Sequence, residues 1–128
     1  MPKKAITTPK ARAIGPYSAA VESGGLVFVS GQIPLDSATG KLVAGDIAAQ
    51  TKQSLENLKT ILGAADLTFA HVVKTTIFLT SMDDFAAVNE AYKGYVGEPY
   101  PARSTIAVAA LPMGAKVEIE MIASRGAV

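Results

Sequence analysis

Two stretches near the C-terminal end hold the residue types with the most chemical reach. In Arg103-Ser104-Thr105-Ile106-Ala107-Val108-Ala109-Ala110, the odd positions carry Arg103 and Thr105 and the even ones Ile106 and Val108. In Lys116-Val117-Glu118-Ile119-Glu120-Met121-Ile122-Ala123, the odd positions are apolar and the even ones carry Lys116, Glu118 and Glu120. Side chains of a strand alternate between the two faces of a sheet, and a one-residue slip in pairing exchanges them. If the two stretches form a hairpin, only one parity lets Ile106 and Val108 meet Val117, Ile119 and Met121. That parity predicts Arg103, Thr105, Glu118 and Glu120 on a common face. Two readings stay open for such a face. One is a solvated polar surface with an ion pair worth roughly 0–1 kcal/mol. The other is a site in which the planar guanidinium of Arg103 grips a carboxylate and Glu118 holds and activates a water.

Other candidates are weaker taken singly. Ser30-Gly31 inside an apolar run marks either a close backbone approach to a ligand or a bulge. Tyr17, after Gly15-Pro16, is a lid over a site or a surface turn aromatic. Asn89 beside the apolar stripe of a helix is a cleft residue or a partner in an ordinary helix–loop hydrogen bond. His71, the only histidine, stands apart from these clusters and reads as structural or merely exposed. With no cysteine and one histidine, disulfides, thiolate nucleophiles, Cys-ligated zinc, iron–sulfur clusters and multi-histidine metal sites are excluded. A Ser-His-Asp triad would hang on His71 alone. No glycine run has the spacing of a phosphate-binding loop. Twelve basic against eleven acidic residues, scattered along the chain, offer no stripe for a nucleic acid. The start, Met1 to Thr8, has no apolar core of a signal peptide, and no apolar run nears ~18 residues. The expectation is a soluble, cytoplasmic protein with neither membrane nor nucleic acid as partner.

The elements that must position these residues follow from periodicity. The 128 residues suit one domain, 1–128. Residues 17–22 and 26–33 read as strands joined through Ser23-Gly24-Gly25, a hairpin signal. Residues 34–45, with Pro34, Asp36, Ser37, Gly40 and Gly45, read as a loop. Asp46 is a plausible N-cap for a helix whose apolar face is Ile47, Thr51, Leu55, Leu58 and Leu62. The β-branched run 72–80 reads as a strand. Ser81 is the expected N-cap of a second helix with the stripe Phe85, Val88, Tyr92 and Val96. Strands at about 102–110 and 115–123 close the chain. The order β-β-α-β-α-β-β predicts an α+β fold, a mostly antiparallel sheet with two helices on one face. The other face is then bare. Only 18% of residues are charged, against a usual ~25%. Both observations point to burial of that face against copies of the chain.

Taken together, the motifs resemble the reactive-intermediate deaminase (RidA) family, also called YjgF/YER057c/UK114. The resemblance runs through Ala13-Ile14-Gly15-Pro16-Tyr17-Ser18, Val29-Ser30-Gly31-Gln32-Ile33-Pro34 and Gln53-Ser54-Leu55-Glu56-Asn57-Leu58. It continues through Val73-Lys74-Thr75-Thr76-Ile77-Phe78-Leu79, the Val88-Asn89 pair, Pro101-Ala102-Arg103-Ser104 and Val117-Glu118-Ile119-Glu120. It implies a chorismate-mutase-like homotrimer with sites in the clefts between subunits. It also implies cofactor-independent hydrolysis of enamines and imines, such as 2-iminobutanoate and 2-iminopropanoate released by pyridoxal-phosphate dehydratases, to 2-keto acids and ammonia. On this resemblance Arg103 binds the carboxylate, Glu118 handles the water with Ser30 or Thr105 helping to orient it, and Tyr17, Gly31 and Asn89 fall on cleft positions. Thr105 stands where many members have cysteine, so a hydroxyl replaces a thiol beside the reacting groups. The loop Gly97-Glu98-Pro99-Tyr100 is shorter than in many members, which alters the rim of the cleft. Two rival functions remain: a non-catalytic binder of 2-keto acids, and RNA cleavage with translational inhibition, which the balanced charge and the lack of an Arg/aromatic platform disfavour.

Overall fold

The structure is a computed structural model and describes residues 2–128. Gly24 and Gly25 both adopt positive φ, 60° and 80°. They form a two-residue turn whose twist suits antiparallel neighbours, and it closes β2 (Ala20–Ser23) onto β3 (Leu26–Gln32). Before this hairpin lies β1 (Lys4–Ile6), an edge strand that the sequence pattern does not announce. The expected loop 34–45 contains a small two-stranded ribbon, β4 (Leu35–Asp36) with β5 (Lys41–Leu42).

The first helix, α1 (Ile47–Ala64), starts at Asp46, whose carboxylate accepts a hydrogen bond of 3.0 Å from the Ala49 N–H. It buries Thr51, Leu55, Leu58 and Leu62 of the expected face and adds Ile61, while Ile47 is only partly buried against the core. β6 (Val72–Leu79) follows a short 3-10 turn in which Thr68 N–H donates to His71 Nδ1 at 3.1 Å. His71 is thus a capping residue. Ser81 caps a 3-10 turn, Met82–Asp84, rather than α2 itself (Phe85–Lys93). The apolar stripe outlasts that helix: Val96 is buried three residues past its end.

β7 (Ala102–Ala107) and β8 (Val117–Ser124) complete a six-stranded sheet in the order β1-β2-β3-β8-β6-β7. All pairings are antiparallel except β6 with β7. Both helices join one face in a continuous core with Val27, Val29, Ile77, Leu79, Val117, Ile119 and Met121. Among the described residues no element covers the opposite face, and Leu26, Phe28 and Ile106 remain 37–46% exposed.

The topology overturns one expectation. β7 and β8 are not a hairpin, because β6 lies between them and α2 carries the chain across to a parallel β7. The apolar residues of β8 find their partners on β6, so the parity argument acted on the wrong pair. Arg103 is registered with Thr75 and Thr105 with Ile77, while Thr75 and Ile77 face Met121 and Ile119 across β8. Arg103 and Thr105 therefore lie on the helix-covered face. Glu118 and Glu120 are registered with Phe78 and Thr76, on the open face.

Candidate functional site

The predicted residues fall into two groups on opposite faces of the sheet. The first sits at the β7 edge. Arg103 extends beneath α2, where its guanidinium carbon is 5.1 Å from the ring centre of Tyr92 and 5.7 Å from that of Phe85. Those rings are seven residues apart, two helical turns, so they share a face with Asn89 between them. Among the described residues Arg103 forms no ion pair. Arg103 lines a cleft of about 330 Å³ together with Asn89, Tyr92, Lys93, Val96, Tyr100 and Pro101. The Tyr92 hydroxyl is fixed by donating to Thr75 Oγ1 at 2.9 Å, a bond between two buried groups. Burial holds the Tyr92 phenol above its ordinary pKa, against the lowering pull of Thr75 and Arg103, so it remains a neutral hydroxyl. Thr105, two residues along the same face, lies outside the lining of this cleft, and its Oγ1 is buried without a hydrogen-bond partner among the described residues. Such an atom costs about 1–3 kcal/mol unless something satisfies it.

The second group is built on the open face and its rim. The β3–β8 register shifts between Val29 and Gln32, and Ser30-Gly31 occupy that irregularity. The bulge reading of this dipeptide holds, and the group that closely approaches the Gly31 backbone is a carboxylate of the chain itself. A Cβ at Gly31 would lie 2.9 Å from Glu118 Cδ and 3.1 Å from Cγ, and closer still to Oε2. Only a glycine leaves room for Glu118 in this pose. The half-buried carboxyl is pushed above the usual carboxylate range, first by desolvation and then by the Glu120 charge.

Ser30 Oγ donates to the Ser18 carbonyl at 2.6 Å, and Ser30 N–H donates to the Ala19 carbonyl at 2.9 Å. These bonds tie down the segment carrying Tyr17. The Tyr17 hydroxyl accepts from Ile14 N–H at 3.3 Å, and Tyr17 and Gly31 line one small crevice. Tyr17 is 49% exposed, an accessible aromatic rather than a core one.

Arg103 and Asn89 thus share one half-site, and Glu118, Gly31, Ser30 and Tyr17 share the other. Within one chain the sheet separates the two. Sequence reasoning missed Phe85, Tyr92 and Thr75 as neighbours of the arginine. Their signal was the i, i+7 aromatic pair on the second helix, which reads equally well as core. Among the described residues no helix is long and apolar enough to cross a membrane.

Comparison with known proteins adds an independent line. Residues 7–125 match the family model described as endoribonuclease L-PSP. A mouse protein named 2-iminobutanoate/2-iminopropanoate deaminase is 50% identical over 125 residues, covering 97% of this chain and 93% of its own. Among solved structures, YyfA of Yersinia pestis, described as of the conserved Rid protein family, superposes with a TM-score of 0.92 at 48% identity, covering 96% of this chain and 99% of its own. Escherichia coli TdcF with bound serine superposes with a TM-score of 0.90 at 45% identity, again over 96% and 99%.

Proposed function

The chain belongs to the endoribonuclease L-PSP family, the group that includes the Rid proteins, and from that premise we propose that it is a 2-iminobutanoate/2-iminopropanoate deaminase. The observation that carries the reading is an arginine with no acidic partner among the described residues, set against two aromatic rings and lining a cleft. Such a group is ready for a carboxylate, which every 2-imino acid brings. The name of the mouse relative and the serine bound to TdcF support a small amino-acid-like ligand. The net charge of +1 supports a small molecule over a nucleic acid.

The reaction then needs a water and one acid/base group. Arg103 holds the carboxylate, with Asn89 beside it in the cleft. Glu118 takes a proton from water as the oxygen attacks the imine carbon and delivers it to the imine nitrogen, then relays the carbinolamine's hydroxyl proton to the same nitrogen as the C–N bond breaks. The resulting carbinolamine collapses to the 2-keto acid as its nitrogen leaves as ammonia. No electron acceptor and no cofactor is required. Imine hydrolysis is fast even in water, so positioning and one acid/base group, worth about 100- to 10,000-fold, suffice. Ser30 anchors the Tyr17 segment at the rim, and the Thr105 hydroxyl, buried in a single chain and outside the lining of the cleft, takes no step in this scheme.

Because Arg103 and Glu118 lie on opposite faces of one sheet, the complete site needs two copies of the chain. The Arg103 half of one subunit meets the Glu118 half of the next, in a cytoplasmic homotrimer whose apolar open faces pack together. In this reading residues 1–128 act as one domain.

The test adds the protein to a threonine dehydratase reaction and traps the imine with semicarbazide. Less trapped imine and faster 2-oxobutanoate release are expected. Unchanged trapping at high protein concentration sinks the proposal. Retained 2-oxobutanoate binding without any hydrolysis would instead make the chain a metabolite binder.

A further inference from the structure

We infer that Phe85 and Tyr92 form an uncharged cradle that positions Arg103 for carboxylate binding, with Thr75 locking the cradle through the Tyr92 hydroxyl. The inference rests on the carboxylate-binding role proposed for Arg103. A guanidinium is usually steadied by an acidic partner, which consumes its donors and competes with an incoming carboxylate. Here no acid is paired with it among the described residues. Two ring faces, 5.1 and 5.7 Å away, replace that partner. Rings attract the cation through their quadrupoles and leave the in-plane N–H groups free. Tyr92 is 6% exposed and Thr75 fully buried, so their 2.9 Å hydrogen bond fixes the ring against β6, the strand that pairs with the strand of Arg103. Phe85, 36% exposed, sits at the start of the helix with its ring centre 5.7 Å from the guanidinium carbon. These are positioning residues, acting on substrate through Arg103.

The test is a double-mutant cycle read by 2-oxobutanoate affinity and by imine hydrolysis. Tyr92→Leu is expected to weaken 2-oxobutanoate binding and raise KM about tenfold, with a smaller change in kcat. Tyr92→Phe keeps the ring but loses the bond to Thr75, so it should recover only part of that loss. Phe85→Leu, at a partly exposed position that tolerates change, should weaken binding about threefold. In an Arg103→Ala background neither leucine substitution should change the residual affinity further. Unaltered affinity in Phe85→Leu and Tyr92→Leu overturns the inference, as does an equal loss in the Arg103→Ala background, which marks a structural effect. If the wild type hydrolyses no imine but binds 2-oxobutanoate, the catalytic reading fails and the affinity cycle still decides this one. If the wild type binds no 2-oxobutanoate, both fall.

Discussion

The two half-sites treat their charges in opposite ways. Arg103 rests on aromatic faces, which favour the cation and take none of its hydrogen bonds. Glu118 is packed against Gly31 and partly desolvated, with Glu120 nearby, and both effects disfavour its charged form. A group that grips substrate serves best with a permanent charge. A group that moves a proton serves best when its two protonation states are closer in energy. The contrast teaches that the fold supplies a fixed charge at a sheet edge under a helix, and an adjustable one on the open face beside a bulge.

The largest expected effect tests whether the halves meet across subunits. Arg103→Ala and Glu118→Gln should each be nearly inactive alone. Mixed one to one, unfolded and reassembled together, they should regain activity in about a quarter of their sites, where an intact arginine faces an intact glutamate. No recovery, with mixed oligomers demonstrated by mass spectrometry, would place both groups in one chain's site and break the comparison.

Next in size is the difference between those variants taken singly. Arg103→Ala should raise KM most, whereas Glu118→Gln should lower kcat by about 100- to 10,000-fold with 2-oxobutanoate affinity kept. In the wild type, kcat should fall on the acid side at a pH above the ordinary carboxylate range, because Glu118 must be ionised to accept the proton and its pKa is raised. An acid limb that persists in Glu118→Gln would remove Glu118 as the base.

Much of this arrangement was legible before any coordinates. The Asp46 cap, the α1 face and the Gly24-Gly25 turn are written in local patterns of period 3.6 or two-residue turn chemistry, and each appears where expected. The bare sheet face followed from element order alone. Arg103 and Glu118 were identifiable as chemical groups, yet their relative placement was not. Parity along two strands cannot reveal that a third, β6, is inserted between them. That depends on where α2 carries the chain, a non-local choice. Phe85 and Tyr92 were invisible as a cradle for the same reason, since a helical stripe does not say which strand it will cover. Residues 4–6 are too few to show alternation, so β1 emerges only through its pairing with β2.

A smaller effect probes the bulge. Gly31→Ala places a methyl group where the Glu118 carboxyl now lies. That carboxyl is the end of a flexible side chain and can swing aside, so the fold should survive with Tm lowered by only a few degrees, for a cost of about 1 kcal/mol. The catalytic cost should be greater, about tenfold or more in kcat, because a proton-transfer group misplaced by 1 Å loses its geometry. Arg103-dependent binding of 2-oxobutanoate should be nearly unchanged. Equal losses in binding and kcat would show that the bulge shapes both halves.

The smallest effect concerns stability and has a definite sign. The folded state raises the Glu118 pKa through burial and Glu120, so the folded chain holds this proton more tightly than the unfolded chain does. The stabilising contribution is fully present below the unfolded carboxylate pKa and is lost as pH rises through the raised folded value. Above that window the ionised carboxylate is a standing destabilisation. Glu118→Gln keeps the shape against Gly31 and removes the charge, so its Tm should match the wild type in acid and exceed it slightly near neutral pH. Glu22 should behave in the opposite sense. Its hydrogen bond to Arg125 lowers its pKa, so Glu22→Gln should lose a little stability above the carboxylate range and none below it. A Glu118→Gln protein less stable than wild type at neutral pH would mean that the carboxylate is held by favourable contacts rather than tolerated. The two halves would then no longer differ in how they carry charge.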